Sequence, residues 1–79
     1  VNGESMTKTL RLKSLSELGA LLRERRRELG ITQKELAKFC NLSHTGIGRI
    51  EMAQNDVKFE TLLKLSKFLG LAIVIKVED

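Results

Sequence analysis

TQKELAKFCNLSHTGIGRIE, residues 32–51, reads as two short helices joined by a tight turn. Thr32 and Glu35 have the T-x-x-E spacing of a capping box, in which side chain and backbone satisfy each other at a helix start. Leu36 and Ala37 then fall on an inner face, and the small residue at 37 permits a close crossing. Asn41 stands between Cys40 and Leu42, and asparagine tolerates the left-handed conformation of a sharp helix exit. Ser43 is placed to cap the next helix. Ile47 and Ile50 give that helix an apolar stripe. Its outer face is left with His44, Thr45, Gly48 and Arg49, which are short or carry hydrogen-bonding groups. Such a face suits the major groove of a duplex, where bases present donors and acceptors.

Working outward, the stretch between Gly30 and Thr32 closes a first helix expected over about residues 15–29, with Leu15, Leu18, Leu22 and Leu29 on one stripe. Ser14 and Glu17 suggest a second capping box, and Gly30 a C-terminal cap. The second and third helices are expected at 33–39 and 44–52, and a fourth at 59–69 with Leu62, Leu65, Phe68 and Leu69 inward. Residues 1–13 read as a flexible N-terminus in which TKTLRLK (7–13) has weak strand alternation. Met6 is a plausible natural start. Residues 14–70 form the helical domain and 71–79 a terminal segment.

LAIVIKV, residues 71–77, is short, β-branched and almost wholly apolar, the composition of a strand. A lone strand leaves its backbone groups unpaired. Its partner is either residues 7–13, or, preferred here, the same strand of a second copy across a two-fold axis. Ala72, Ile73, Val74, Ile75 and Val77 would form that dimer contact. Packing of the segment on its own helices is the remaining option.

The chain has 79 residues and a formal charge of +4, with no proline, tryptophan or tyrosine. That is the size of one small domain. The single cysteine excludes an intrachain disulfide, and no apolar run reaches the length of a membrane span, so a cytoplasmic protein is expected. Arg23, Arg25, Arg26 and Arg27 crowd one helix end, and Lys34 and Lys38 lie in the second helix. This clustering fits a phosphate-binding face, or equally a solvated surface balanced by Glu24 and Glu28. No zinc-ligand set, glycine-rich phosphate loop or nucleophile–base pair is present. Neither an enzyme, a cofactor nor a metal is therefore expected.

These residues resemble the Cro/C1-type (XRE) helix-turn-helix family. The resemblance is carried by TQ-x-x-LA at 32–37, I-x-x-I-E at 47–51, and the flanking runs ELGALLRERRRELGI and TLLKLSKFLGL. It implies a mainly α, lambda-repressor-like bundle of four to five helices, here followed by the strand that pairs between protomers. It implies that Gln33 holds a DNA phosphate, and that Arg26 and Glu51 form a partly buried ion pair. Gln33, Ser43, Arg23, Arg26, Lys34 and Lys38 are the expected phosphate contacts. His44, Thr45, Gly48 and Arg49 are the expected base-reading positions, Arg49 by bidentate pairing with guanine. A phosphate contact or a solvated position is the alternative for Arg49. The family usually has glycine where Asn41 stands and again after Glu51, where this chain has Met52 and Ala53, so a loop of different shape is expected there.

LG-x-x-x-R-x-x-R-x-x-x-G-x-TQ from Leu18, together with the terminal LGLAIVIKV, is similar to antitoxins of HipB type. That similarity implies a homodimeric repressor on a palindromic operator in double-stranded DNA, part of a toxin–antitoxin operon, with a HipA-like kinase toxin as partner. A stand-alone small XRE-type regulator is one alternative. A protein-interaction module that has lost DNA binding is another, favoured by the two glycines, Gly46 and Gly48, inside the third helix.

Overall fold

The computed structural model describes residues 9–78. Four helices follow in order: α1 Leu15–Glu28, α2 Gln33–Cys40, α3 His44–Glu51 and α4 Phe59–Leu69. The expected flexibility of residues 1–6 and the choice of Met6 as start lie outside the described residues, as do Thr7 and Lys8 of the possible first strand. Thr9 to Lys13 form no strand.

The helix starts follow from local chemistry. At α2 both halves of the capping box form: Thr32 Oγ1 accepts from the Glu35 N–H at 3.0 Å, and Glu35 Oε1 accepts from the Thr32 N–H at 2.9 Å. The Thr32 N–H bond first, and then the Thr32 hydroxyl beside the carboxyl, pull Glu35 below its ordinary pKa. Ser43 Oγ accepts from the Gly46 N–H at 2.9 Å and caps α3. At α1 the reciprocal box is shifted. Ser14 Oγ accepts from the Glu17 N–H, but Glu17 Oε1 takes the N–H of Lys13, one residue earlier.

The helix ends share one device. Gly30, Asn41, Ala53 and Gly70 all take positive φ, and each is followed by a backbone bond reaching back five residues: Ile31 to Arg26, Leu42 to Ala37, Gln54 to Arg49, Leu71 to Ser66. This is the Schellman exit, which satisfies carbonyls that the helix leaves open. After α3 the chain therefore makes the left-handed turn that glycine favours, with alanine in it at φ 57°. Alanine at that position carries local strain, because the left-handed region crowds a Cβ against the backbone.

Leu22, Leu36, Ala37, Cys40, Ile47, Leu65 and Leu69 form the core, with Leu18, Ile31, Leu42, Ile50, Leu62 and Leu71 packed around it. Each fully buried leucine or isoleucine contributes about 1.5–3 kcal/mol relative to exposure. Leu15 and Leu29, expected on the inner stripe, are exposed at 39% and 42%. The buried row of α1 is instead Gly19, Leu22 and Arg26, because Leu15 and Leu29 sit at the helix ends, beyond the crossing. Gly19 marks the crossing point. A Cβ there would lie 2.5 Å from the Glu51 carbonyl oxygen and 2.7 Å from that of Ile50. Phe68, also expected inside, is half exposed and stacks on Phe39 of α2 with ring centroids 5.2 Å apart. The pair joins α2 to α4 outside the core.

Residues 71–78 form no helix or turn, and no strand ladder occurs among the described residues. The expected C-terminal β-strand is thus not formed within the single chain, since a ladder needs a second strand beside it. Leu71 packs on the core, whereas Ile75 and Val77 are 87% and 92% exposed. Arg25 of α1 holds the root of this segment: its Nε donates to the Leu69 carbonyl at 2.7 Å, a cation at a helix C-terminus.

Candidate nucleic-acid interface

α3 is fixed from inside by Ile47, which is 1% exposed, and by the half-buried Ile50. His44, Thr45 and Arg49 are exposed on the other side, and Gly48 is half-buried between them. At 3.6 residues per turn, positions 44, 45, 48 and 49 cover one contiguous arc. The four residues expected to read bases therefore share one face. Ser43 opens the same helix; its oxygen is used in capping, which leaves its hydroxyl proton free to donate.

Glu51 ties this helix to α1. The Arg26 guanidinium donates from Nε to Glu51 Oε2 at 2.6 Å and from Nη2 to Oε1 at 3.1 Å, and Nη1 donates to the Ile31 carbonyl at 2.8 Å. Both side chains are buried, at 9% and 2% exposure. The bidentate fork and the third bond supply the hydrogen bonds that a buried charge needs. Arg26 is thereby withdrawn from the expected phosphate contacts. Its three nitrogens all donate to protein acceptors, and the side chain is buried.

Gln33, the first residue of α2, lies across the same helix face. Its Nε2 donates to Glu51 Oε1 at 3.0 Å, and its Oε1 meets His44 Nε2 at 3.2 Å. His44, Gly48 and Glu51 lie on one row of α3, and the Gln33 amide rests over Gly48. A Cβ at 48 would meet that amide at 3.7–3.8 Å, an ordinary contact. A Cβ at Gly46 would come within 2.9 Å of the capping oxygen of Ser43. Gly46 thus keeps the cap clear, a reason internal to the protein.

Lys34 and Lys38 are exposed on α2. Arg23 is exposed as well, but lines a groove on α1 together with Glu24, Arg27 and Glu28, so its surroundings carry both signs of charge. Arg25 is occupied by the Leu69 carbonyl and by Glu28 at 3.3 Å. The arginine run therefore divides: two members hold the fold and two face solvent. Cys40 is a free, buried thiol whose pKa is pushed up by burial, partly offset by Lys64. Among the described residues no cluster could hold a metal ion, and no helix is long and apolar enough to cross a membrane.

The class that this geometry defines is a four-helix domain with a helix-turn-helix at α2–α3. A helix-turn-helix family model matches residues 22–75. The chain is 36% identical over 55 residues to the HTH-type transcriptional regulator ImmR of Bacillus subtilis, covering 70% of this chain and 43% of that one. It is 42% identical over 50 residues to an HTH-type transcriptional regulator of Haemophilus influenzae, covering 63% and 51%. It thus spans about half the length of these curated relatives.

Among solved structures, the restriction-modification controller protein C.AhdI of Aeromonas hydrophila aligns with TM-score 0.70 and 33% identity, over 73% of this chain and 88% of that one. HipB in its complex with an O2 20mer aligns with TM-score 0.77 at 22% identity, over 91% and 100%, a likeness of fold. The chain belongs to the Cro/C1-type (XRE) helix-turn-helix family.

Proposed function

We propose that this protein is a sequence-specific DNA-binding transcriptional repressor that works as a homodimer. The observation that carries the reading is the division of α3. One side is locked by Ile47, Ile50 and the buried Glu51, and the other presents His44, Thr45 and Arg49 to solvent around the half-buried Gly48. Base edges are read by such a face, while phosphate contacts set its register. Ser43, Lys34, Lys38, Arg23 and the second amide hydrogen of Gln33 supply those contacts. The proposed seat of α3 is the major groove, with Arg49 pairing with guanine. Two copies would bind half-sites about 34 Å apart on a palindromic operator.

In this reading the exposed segment Ala72–Val77 becomes the dimer strand, pairing antiparallel with its copy. The same outline, a helix-turn-helix domain followed by an apolar segment, supports an antitoxin role with autorepression and a HipA-like kinase toxin as partner. One of the solved structures of similar fold is a HipA–HipB–O2–O3 complex. The cytoplasm is the proposed location.

Titration of labelled upstream DNA, against random duplex as competitor, tests the reading. Tight, salt-sensitive and sequence-selective binding is expected, falling roughly 5- to 100-fold in Arg49→Ala if a guanine pair is lost. Equal affinity for specific and random duplex overturns it. Cutting after Leu71, which leaves the core intact, should give monomers by light scattering; persistent dimers overturn the strand pairing. Failure to co-purify with a kinase-like protein encoded next to it would remove the antitoxin role alone.

A further inference from the structure

The side-chain chain Arg26–Glu51–Gln33–His44 does more than hold α3 in place. The carboxylate of Glu51 can only accept hydrogen bonds, and it already takes two from the Arg26 guanidinium. The end of the Gln33 amide 3.0 Å from it must therefore be the NH2 group. That leaves the amide oxygen facing His44 Nε2 at 3.2 Å. An amide oxygen also only accepts, so His44 Nε2 carries the hydrogen. The reverse amide orientation would set two acceptors against each other. In a neutral imidazole one nitrogen donates and the other accepts, so Nδ1 is the acceptor. His44 itself is exposed on the face proposed to read bases.

We infer that His44 reads an exocyclic amine, the N6 of adenine or the N4 of cytosine, through Nδ1, and that Gln33 is the positioning residue that fixes this choice. The inference rests on the proposed DNA reading. In the major groove only these two groups donate; guanine and thymine present acceptors there, and thymine a methyl group. A histidine free to exchange its hydrogen between nitrogens would accept either kind of partner. Anchored by Gln33, it discriminates. Gly48 has no side chain to come between the amide and its two partners on α3.

Two measurements test this. His44 is the only histidine of the chain, so the ring 15N signals of the free protein are unambiguous. In alkaline buffer, where imidazoles are neutral, they should show hydrogen on Nε2. Hydrogen on Nδ1 overturns the proposal without any DNA present. Selection from random duplexes by the wild-type chain should then enrich adenine or cytosine at one position of each half-site. His44→Ala should lose that preference, and Gln33→Ala should lose it together with the affinity of its own phosphate contact.

Replacing the selected adenine by purine, or cytosine by 2-pyrimidinone, deletes the amine. Wild-type affinity should fall roughly 3- to 10-fold, the worth of one hydrogen bond, and His44→Ala should not respond. Guanine or thymine at the His44-dependent position, or indifference to the missing amine, overturns this inference and leaves DNA reading standing. Enrichment of no sequence at all overturns both.

Discussion

α3 and the segment after α4 are both short and both carry two isoleucines, yet they end in opposite circumstances. Ile47 is 1% exposed, whereas Ile75 is 87% exposed. The helix satisfies its own backbone, so its apolar side chains are free to be pressed into a core by α1 and α2. A segment outside any helix or ladder has no such internal partners, and this one leaves its side chains open to solvent. α3 is therefore a finished object in one copy of the chain. On the proposed pairing, the tail is half of one.

The contrast can be broken most severely on the α3 side. Glu51→Ala strands the Arg26 guanidinium in the interior and should cost about 3–5 kcal/mol in urea denaturation. Gly19→Ala comes next: its methyl would collide with two carbonyls of α3, which backbone movement alone can relieve, at roughly 3 kcal/mol. In the other direction, Ala53→Gly removes a left-handed alanine and should raise stability by about 0.5–1 kcal/mol, net of the added freedom of the unfolded chain.

A smaller effect follows from Glu35. Its pKa is lowered in the folded state, so the capping box contributes stability above pH 4.5, the ordinary value, and loses it as pH falls through the lower folded value. Glu35→Gln should flatten that part of the acid-unfolding curve. Ile75→Asp should do least to the fold, within ~0.5 kcal/mol at high dilution. It should also abolish any dependence of the thermal midpoint on protein concentration. A large loss at high dilution would mean that the tail belongs to the monomer's core.

The four helices were legible in the chain because caps and exits are written locally: Ser14, Thr32 and Ser43 at the starts, Gly30, Asn41 and Gly70 at the ends. The core of α2 and α3 followed from apolar spacing. What escaped depends on how helices cross. Gly19 was a clue, since glycine inside a helix is costly unless something lies against it, and its row with Leu22 and Arg26 marks the true buried face. The role of Arg25 at the end of α4 has no sequence signal, because the two residues are far apart in the chain. Nor could the residue pattern show that Gln33 turns its amide along α3, which requires Glu51 and His44 to meet it from one side.

Arg25 also governs what happens at a distance. Its grip on the last carbonyl of α4 holds the point from which the tail leaves the domain. If tails join two copies, that single bond works as the set-screw of a caliper, and the gap between the jaws is the distance between reading helices. Lysine at 25 would keep the charge but lose the fixed fork. Such a variant should still assemble, yet accept operators whose halves are one base pair closer or farther apart, a tolerance that wild type should refuse.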